Sequence, residues 1–246
     1  MIELLTCGLF SFAKDSSKEN QDSILPPKKL GDGYIMAVAD GVGSYVGAKK
    51  ASQTAIDFVS NLDSGEQLDD MAAVFQKLKD DISSLSDDNN ELYQAATTLT
   101  FCHITDDGIK IGHIGDSRMY IGLAGRFRQA TTDHTQYQKL LDEKIYTRSE
   151  LNELVSKHTL TTALSRSIAL NYQEIFLSRE DVLSNDNEIL VCLMSDGAHS
   201  FWEERPRFSV NTMNQPDSFA ASLRRRIERK SPIDDYSLIV AKFAVA

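Results

Sequence analysis

Tyr34-Ile35-Met36-Ala37-Val38-Ala39-Asp40-Gly41-Val42-Gly43 is an apolar run that ends on an acid and a glycine-rich turn. A short run of this kind reads as a strand buried on both faces, and it carries Asp40 to the strand's end. The pattern recurs three times. Ile109–Ile114 leads into Gly115-Asp116-Ser117-Arg118, Ile189–Met194 leads into Ser195-Asp196-Gly197, and Leu238–Phe243 follows Asp234-Asp235-Tyr236-Ser237. If the four strands are neighbours, their aspartates converge. Clustered carboxylates do not all ionise without compensation, so the pattern predicts a hard divalent cation such as Mg²⁺ or Mn²⁺. Gly41 and Gly43 suit a sharp bend that lets backbone approach a ligand, with the Gly41 carbonyl as a further donor.

Working outward, residues 2–13 read as a strand, and the polar stretch Asp15–Asn20 leads through Gln21-Asp22-Ser23 to a turn expected at Pro26-Pro27. Apolar residues at 48, 51, 55, 58, 59 and 62 recur at helical spacing, and a second helix is predicted over about 67–85. Four strand-like runs at about 96–104, 109–114, 118–123 and 126–131, joined by short turns, predict an antiparallel meander. The more polar segment at about 133–185 is expected to interrupt the strands as an inserted flap. A helix over 217–229, with Phe219, Leu223 and Ile227 inward and Arg224, Arg225, Arg226 and Arg229 outward, precedes the closing strand 236–244. Strands grouped at both ends with helices between them indicate an α+β sandwich rather than a parallel βαβ fold.

With 246 residues, 41% of them hydrophobic, the chain can bury a sizeable core, and we expect residues 1–246 to form one domain. The net charge of -10 argues against an electrostatic grip on nucleic acid or an anionic membrane. Cys7, Cys102 and Cys192 lie scattered in apolar stretches and read as core residues rather than as disulfides or zinc ligands. No basic leader followed by an apolar segment stands at the start, so a cytoplasmic location is expected.

Two ions close together would acidify a shared water and aim it in line at phosphorus, so no protein nucleophile is needed. Consistent with this, the chain has no GxSxG, HExxH or GxxxxGK[ST] motif, and its five histidines show no ligand-like pairing. His134 and His158 are read as structural.

The ordered set Asn20-Gln21-Asp22, Ala39-Asp40-Gly41-Val42-Gly43, Thr97-Thr98-Leu99, Gly115-Asp116-Ser117-Arg118, Asp133-His134-Thr135, Ser195-Asp196-Gly197 and Asp234-Asp235-Tyr236-Ser237 resembles the bacterial branch of the PP2C-type (PPM) metal-dependent serine/threonine phosphatases. The resemblance implies an α-β-β-α sandwich, two central antiparallel sheets flanked by helices, with a dinuclear Mn²⁺ or Mg²⁺ centre at one end. It implies that Asp40 bridges the ions, that Gly41 donates its carbonyl, and that Asp196 and Asp234 bind the second ion. By the same resemblance Asp22 holds metal-bound water, Asp116 serves a third, weaker ion, and Asp235 supports the ligands.

This chain departs from the pattern at three places. Ser44 stands where a further glycine is usual, and Val42 where some eukaryotic members have histidine. Ser17 occupies the place of an arginine that grips the substrate phosphate, leaving Lys18 as the nearest cation and Lys14 as the next. Lys18 is therefore the expected catalytic cation beside Asp40 and Asp22.

The function implied is hydrolysis of phosphoserine and phosphothreonine in proteins by a monomer, a serine/threonine kinase being one expected counterpart. The alternative of another class is a pseudophosphatase that binds phosphoproteins without turnover. A carboxylate-metal nuclease is disfavoured by the acidic balance.

Overall fold

The computed structural model describes residues 1–43 and 45–246, so Ser44 lies outside the described residues. Strands β1 (Ile2–Phe12), β2 (Asp22–Leu30) and β3 (Gly33–Asp40) come first, followed by helices α1 (Ala48–Ser60) and α2 (Met71–Asp88). Then follow β4 (Ala96–Thr97), β5 (Leu99–Thr105), β6 (Gly108–Ile114), β7 (Arg118–Leu123) and β8 (Arg126–Gln129). Two short helices, α3 (Gln136–Asp142) and α4 (Arg148–Leu154), lead to β9 (Leu164–Ser165), β10 (Gln173–Ser178) and α5 (Arg179–Val182). The chain closes with β11 (Glu188–Met194), α6 (Asp196–Glu203), α7 (Val210–Asn214), α8 (Pro216–Lys230) and β12 (Tyr236–Val245).

Two five-stranded sheets form the centre, in the orders β1-β12-β11-β7-β8 and β10-β6-β5-β3-β2, and all their pairings are antiparallel. The α+β sandwich read from the sequence is the architecture found. Strand alternation explains why the deciding run is apolar throughout. Met36 and Val38 face the layer between the sheets, with Ile111, Leu193 and Phe243, whereas Ile35, Ala37 and Ala39 face α1 and α2. On the other sheet Ile239 and Ala241 point inward, while Leu238 and Val240 meet Trp202, Phe219 and Leu223 from α6 and α8. Both faces of each central strand are thus covered, as a continuous apolar run requires.

Several expectations change. Pro26-Pro27 is not a turn: both prolines lie within β2, where the register with β3 shifts between Leu25 and Lys28. Because β2 is an edge strand, a bulge there accommodates residues that lack an N–H. The predicted meander divides, since β5 and β6 belong to one sheet and β7 and β8 to the other, so the turn at Gly115-Asp116-Ser117 crosses the sandwich. The second helix begins at Met71, capped by the Asp70 carboxylate accepting from the Ala73 N–H, after a 3₁₀ turn over Gly65–Asp69. Within about 133–185, β10 is the edge strand beside β6, and β9 pairs with β4 next to Gly41.

Candidate metal centre

Asp22 opens β2 and Asp40 ends β3, and the two are direct cross-strand partners. Asp116 sits in the crossing turn after β6, Asp196 is the first residue of α6 after β11, and Asp234 lies just ahead of β12. Four of these sequence-predicted acids, Asp40, Asp116, Asp196 and Asp234, line one pocket of about 140 Å³ with Gly41 and His158. Asp22 stands behind Asp40, with its charge felt by that carboxyl. Side chains borne on strand ends are held more rigidly than side chains on free loops.

Close backbone packing builds the rim. A Cβ on Gly197 would come 2.0 Å from the Asp235 carbonyl oxygen, and one on Gly41 would come 2.5 Å from that of Ala48, so glycine is required at both. Asp235 is buried and accepts from the backbone N–H of Lys14 at 2.9 Å and of Gln21 at 2.7 Å. It pins two chain segments at the pocket wall, which it lines beside Asp234. Ser195 joins the sheets here: its Oγ donates to Asp22 Oδ2 at 2.8 Å and accepts from the Ser237 N–H at 2.9 Å. Arg118 forms a two-pronged pair with Asp133, 2.8 and 2.6 Å, and Ser117 Oγ lies 3.0 Å from Thr98 Oγ1, so both residues brace the Asp116 turn.

The electrostatics are those of too many acids in one place. Burial raises Asp22 to about 7, with the charges of Asp196 and Asp235 adding to the rise against hydrogen bonds from Ser237 and Ser195. Asp40 is pushed well above the carboxylate range by burial and then by Asp22, Asp196, Asp116 and Asp234, although it keeps a path to solvent. Asp116 is raised by burial and by Asp196. In Asp196 burial also pushes upward, but the hydrogen bond from His158 and the neighbouring histidine charges outweigh it and leave the group lowered. Asp22 Oδ1 and Asp196 Oδ1 are buried without a hydrogen-bond partner. Orphaned, crowded carboxylate oxygens at strand ends fit hard divalent cations.

His158, read from the sequence as structural, stands in this pocket. It donates from Nδ1 to Asp196 Oδ2 at 3.0 Å, and one ligand atom from each of Asp116, His158 and Asp196 lies within 4.8 Å of the others. The segment around it is zipped onto the residues after Asp133, through Gln136 N–H to Thr159 O and Thr161 N–H to His134 O, both 2.8 Å. His134 instead accepts from the Gly115 N–H at 3.1 Å and stacks on His113, a bracing role.

Lys18 is exposed on the loop before β2, its backbone N–H closing a turn onto the Asp15 carbonyl at 2.9 Å. Lys14 is the cation that reaches the acids, with Nζ 3.3 Å from Asp234 Oδ1.

Residues 13–236 match the family model described as protein phosphatase 2C. The chain belongs to that family. The serine/threonine protein phosphatase PstP of Mycobacterium tuberculosis is 28% identical over 182 residues, 72% of this chain and 33% of that protein. The chain therefore spans about a third of the length of this relative. Two solved structures share the family fold. The catalytic domain of PstP in complex with 2 manganese ions superimposes with a TM-score of 0.76 at 23% identity, covering 99% of this chain and 100% of that one. The serine/threonine phosphatase of S. agalactiae gives 0.78 at 19% identity, with 100% of both chains covered. The turns that carried the resemblance in the sequence at 40–43, 116, 196 and 234–235 are among those that converge here.

Proposed function

We propose that the protein is a metal-dependent protein serine/threonine phosphatase that hydrolyses phosphoserine and phosphothreonine. The observation that carries this reading is the convergence of acids from both sheets on one pocket, with buried oxygens left unpartnered. Asp40, the Gly41 carbonyl, Asp196 and Asp234 would hold two divalent ions, Mn²⁺ or Mg²⁺, and Asp116 with His158 and Asp196 a third. When bound, such ions supply positive charge opposite the phosphoryl oxygens and bring the pKa of water toward neutrality.

The chain's own groups do the rest. Asp22, buried behind Asp40 with Oδ2 held by Ser195 and Oδ1 unpartnered, sets the charge and position of Asp40 from the neighbouring strand. Lys14, its backbone fixed by Asp235, presents an ammonium at the pocket rim where a phosphoryl oxygen enters. Lysine there acts as a point charge rather than a two-pronged clamp. His158 holds Asp196 in place from the segment that covers the pocket. The acids at 22, 40, 116, 196 and 234 are all present, which leaves the pseudophosphatase alternative without support. A phosphorylated protein, a serine/threonine kinase of the same cell among the candidates, is the substrate, and the enzyme acts as a cytoplasmic monomer. No helix among the described residues is long and apolar enough to cross a membrane.

The test is hydrolysis of a phosphothreonine peptide, a phosphotyrosine peptide and p-nitrophenyl phosphate with Mn²⁺, with Mg²⁺ and with EDTA. Turnover of the phosphothreonine peptide that needs metal is expected; metal binding without turnover would restore the pseudophosphatase. A narrower expectation concerns the cation. Lys14→Ala should raise KM for the phosphopeptide about tenfold, the scale of one charge-assisted contact, with Lys14→Arg restoring it. If Lys18→Ala has that effect and Lys14→Ala does not, the phosphate is held from the other lysine.

A further inference from the structure

The four arginines expected on the outer face of the last helix do not all face solvent alike. Arg226 folds inward, donating to the carbonyls of Phe201, Arg205 and Arg207 at 3.3, 2.8 and 3.2 Å, and its guanidinium lies 4.1 Å from the centre of the Phe208 ring. It thereby fixes the loop after α6 against α8. Between them runs a groove of about 740 Å³, lined by Arg205, Arg207, Arg226, Arg229 and Lys230 with Phe208 in its wall. Glu204 is the one carboxylate in the lining, and it is taken up by Lys230. Arg205, Arg207 and Arg229 are exposed and make no ion pair or side-chain hydrogen bond among the described residues. A cluster of unpaired guanidinium groups in one groove is unusual on a chain whose net charge is -10.

The groove is tied to the pocket twice. Asp196 begins α6 and Arg205 follows its end, so the two are about 13 Å apart along the helix at 1.5 Å per residue. Lys230 ends α8, and the short link from it leads to Asp234. An extended peptide covers that distance in roughly four residues.

We propose that this groove docks a carboxylate-rich segment of the phosphoprotein substrate, about four to six residues from the phosphorylated side chain. The proposal rests on the phosphatase reading above. Guanidinium forks match carboxylates in geometry as well as charge. A long polyanion such as RNA fits poorly, because five cations line the groove, one of them already paired with Glu204, and the chain as a whole carries a net charge of -10. The fixed Arg226 keeps the loop open without a bound partner, so little ordering is lost when the segment docks.

The experiment compares two phosphothreonine peptides that differ only in carrying four glutamates or four glutamines at that distance, in wild type and in the Arg207→Glu/Arg229→Glu double variant. Wild type should show an about tenfold lower KM for the glutamate peptide, the double variant none, with kcat/KM for p-nitrophenyl phosphate equal in both. The advantage should vanish in about 1 M NaCl, where the screening length falls to about 3 Å. Anisotropy of a fluorescein-labelled glutamate peptide lacking phosphate reads the groove without any turnover. Failure of all hydrolysis would therefore overturn the phosphatase reading while binding to the groove still stands. Equal KM for the two peptides in wild type would overturn the docking proposal, as would a preference that survives in the double variant. Arginine-dependent binding of a single-stranded RNA that displaces the labelled peptide would also overturn it.

Discussion

Asp40→Asn will abolish turnover and at the same time make the metal-free protein more stable. The two effects have one cause. The Asp40 carboxyl is pushed well above its usual range by burial and by four other acids, so its charge is costly in the absence of cations. An amide of the same shape removes that charge while keeping the packing beside Thr98, whose Oγ1 accepts from the Asp40 backbone N–H at 3.0 Å. The same change removes one of the carboxylates that would hold the ions. The kcat/KM for a phosphothreonine peptide should fall by more than about 10²-fold, since even outer-shell partners of metal sites command 10- to 100-fold. Thermal unfolding in EDTA at neutral pH should move upward. A variant that keeps its activity, or one that loses metal-free stability along with activity, would show that Asp40 is not part of a cation site.

The second large effect is the dependence of stability on pH. Asp22 at about 7, with Asp40 and Asp116 raised in the same direction, holds its proton more tightly in the folded chain than in the unfolded one. Such groups favour folding fully below the unfolded carboxylate range near pH 4, and that contribution is lost as pH rises through the folded values. Asp196 is lowered and works the other way, as do His103, His113, His134 and His199, all lowered by burial, but the gain from these groups is complete once pH passes the unfolded histidine value of about 6.5. Metal-free protein should therefore lose stability above about pH 6.5, toward about pH 8, where only the raised acids still change their charge. Mn²⁺ binds the deprotonated oxygens, so its stabilising effect should widen over the same interval and its binding should release protons. Unfolding midpoints with EDTA and with Mn²⁺, and calorimetric titrations in buffers of different ionisation enthalpy, measure both. A gap that stays constant with pH would refute the crowded-acid account.

The strand ends that carry acids were readable because the strands are covered on both faces, which leaves an unbroken apolar run stopping abruptly at Asp40 or Asp196. What depended on pairing was not. Nothing local distinguishes Pro26-Pro27 in a turn from the same pair bulging out of an edge strand, because the edge is defined by which strand is absent beside it. The crossing at Gly115-Asp116-Ser117 has the length of a hairpin turn, and only the packing of β7 against β11 sends it to the other sheet. His158 reaches the pocket because 159 and 161 hydrogen-bond to 136 and 134, a tertiary contact with no periodicity. Lys14 and Lys18 both precede Asp22 closely, and spacing favoured Lys18. The turn closed onto the Asp15 carbonyl leaves that lysine out in solvent, and the anchor from Asp235 brings Lys14 to the rim.

The place of β12 in the sandwich has a consequence for biosynthesis. The sheet β10-β6-β5-β3-β2 is complete once residue 178 has emerged, but its companion lacks its second strand until the last, since β12 lies between β1 and β11 and pairs Val245 with Ile2. A nascent chain short of β12 leaves β1 without its neighbour and Ser195 without the Ser237 amide, so the hydroxyl that braces Asp22 is not yet fixed. Such a polypeptide carries an open strand edge on the ribosome, the kind of surface that recruits chaperones and invites mispairing.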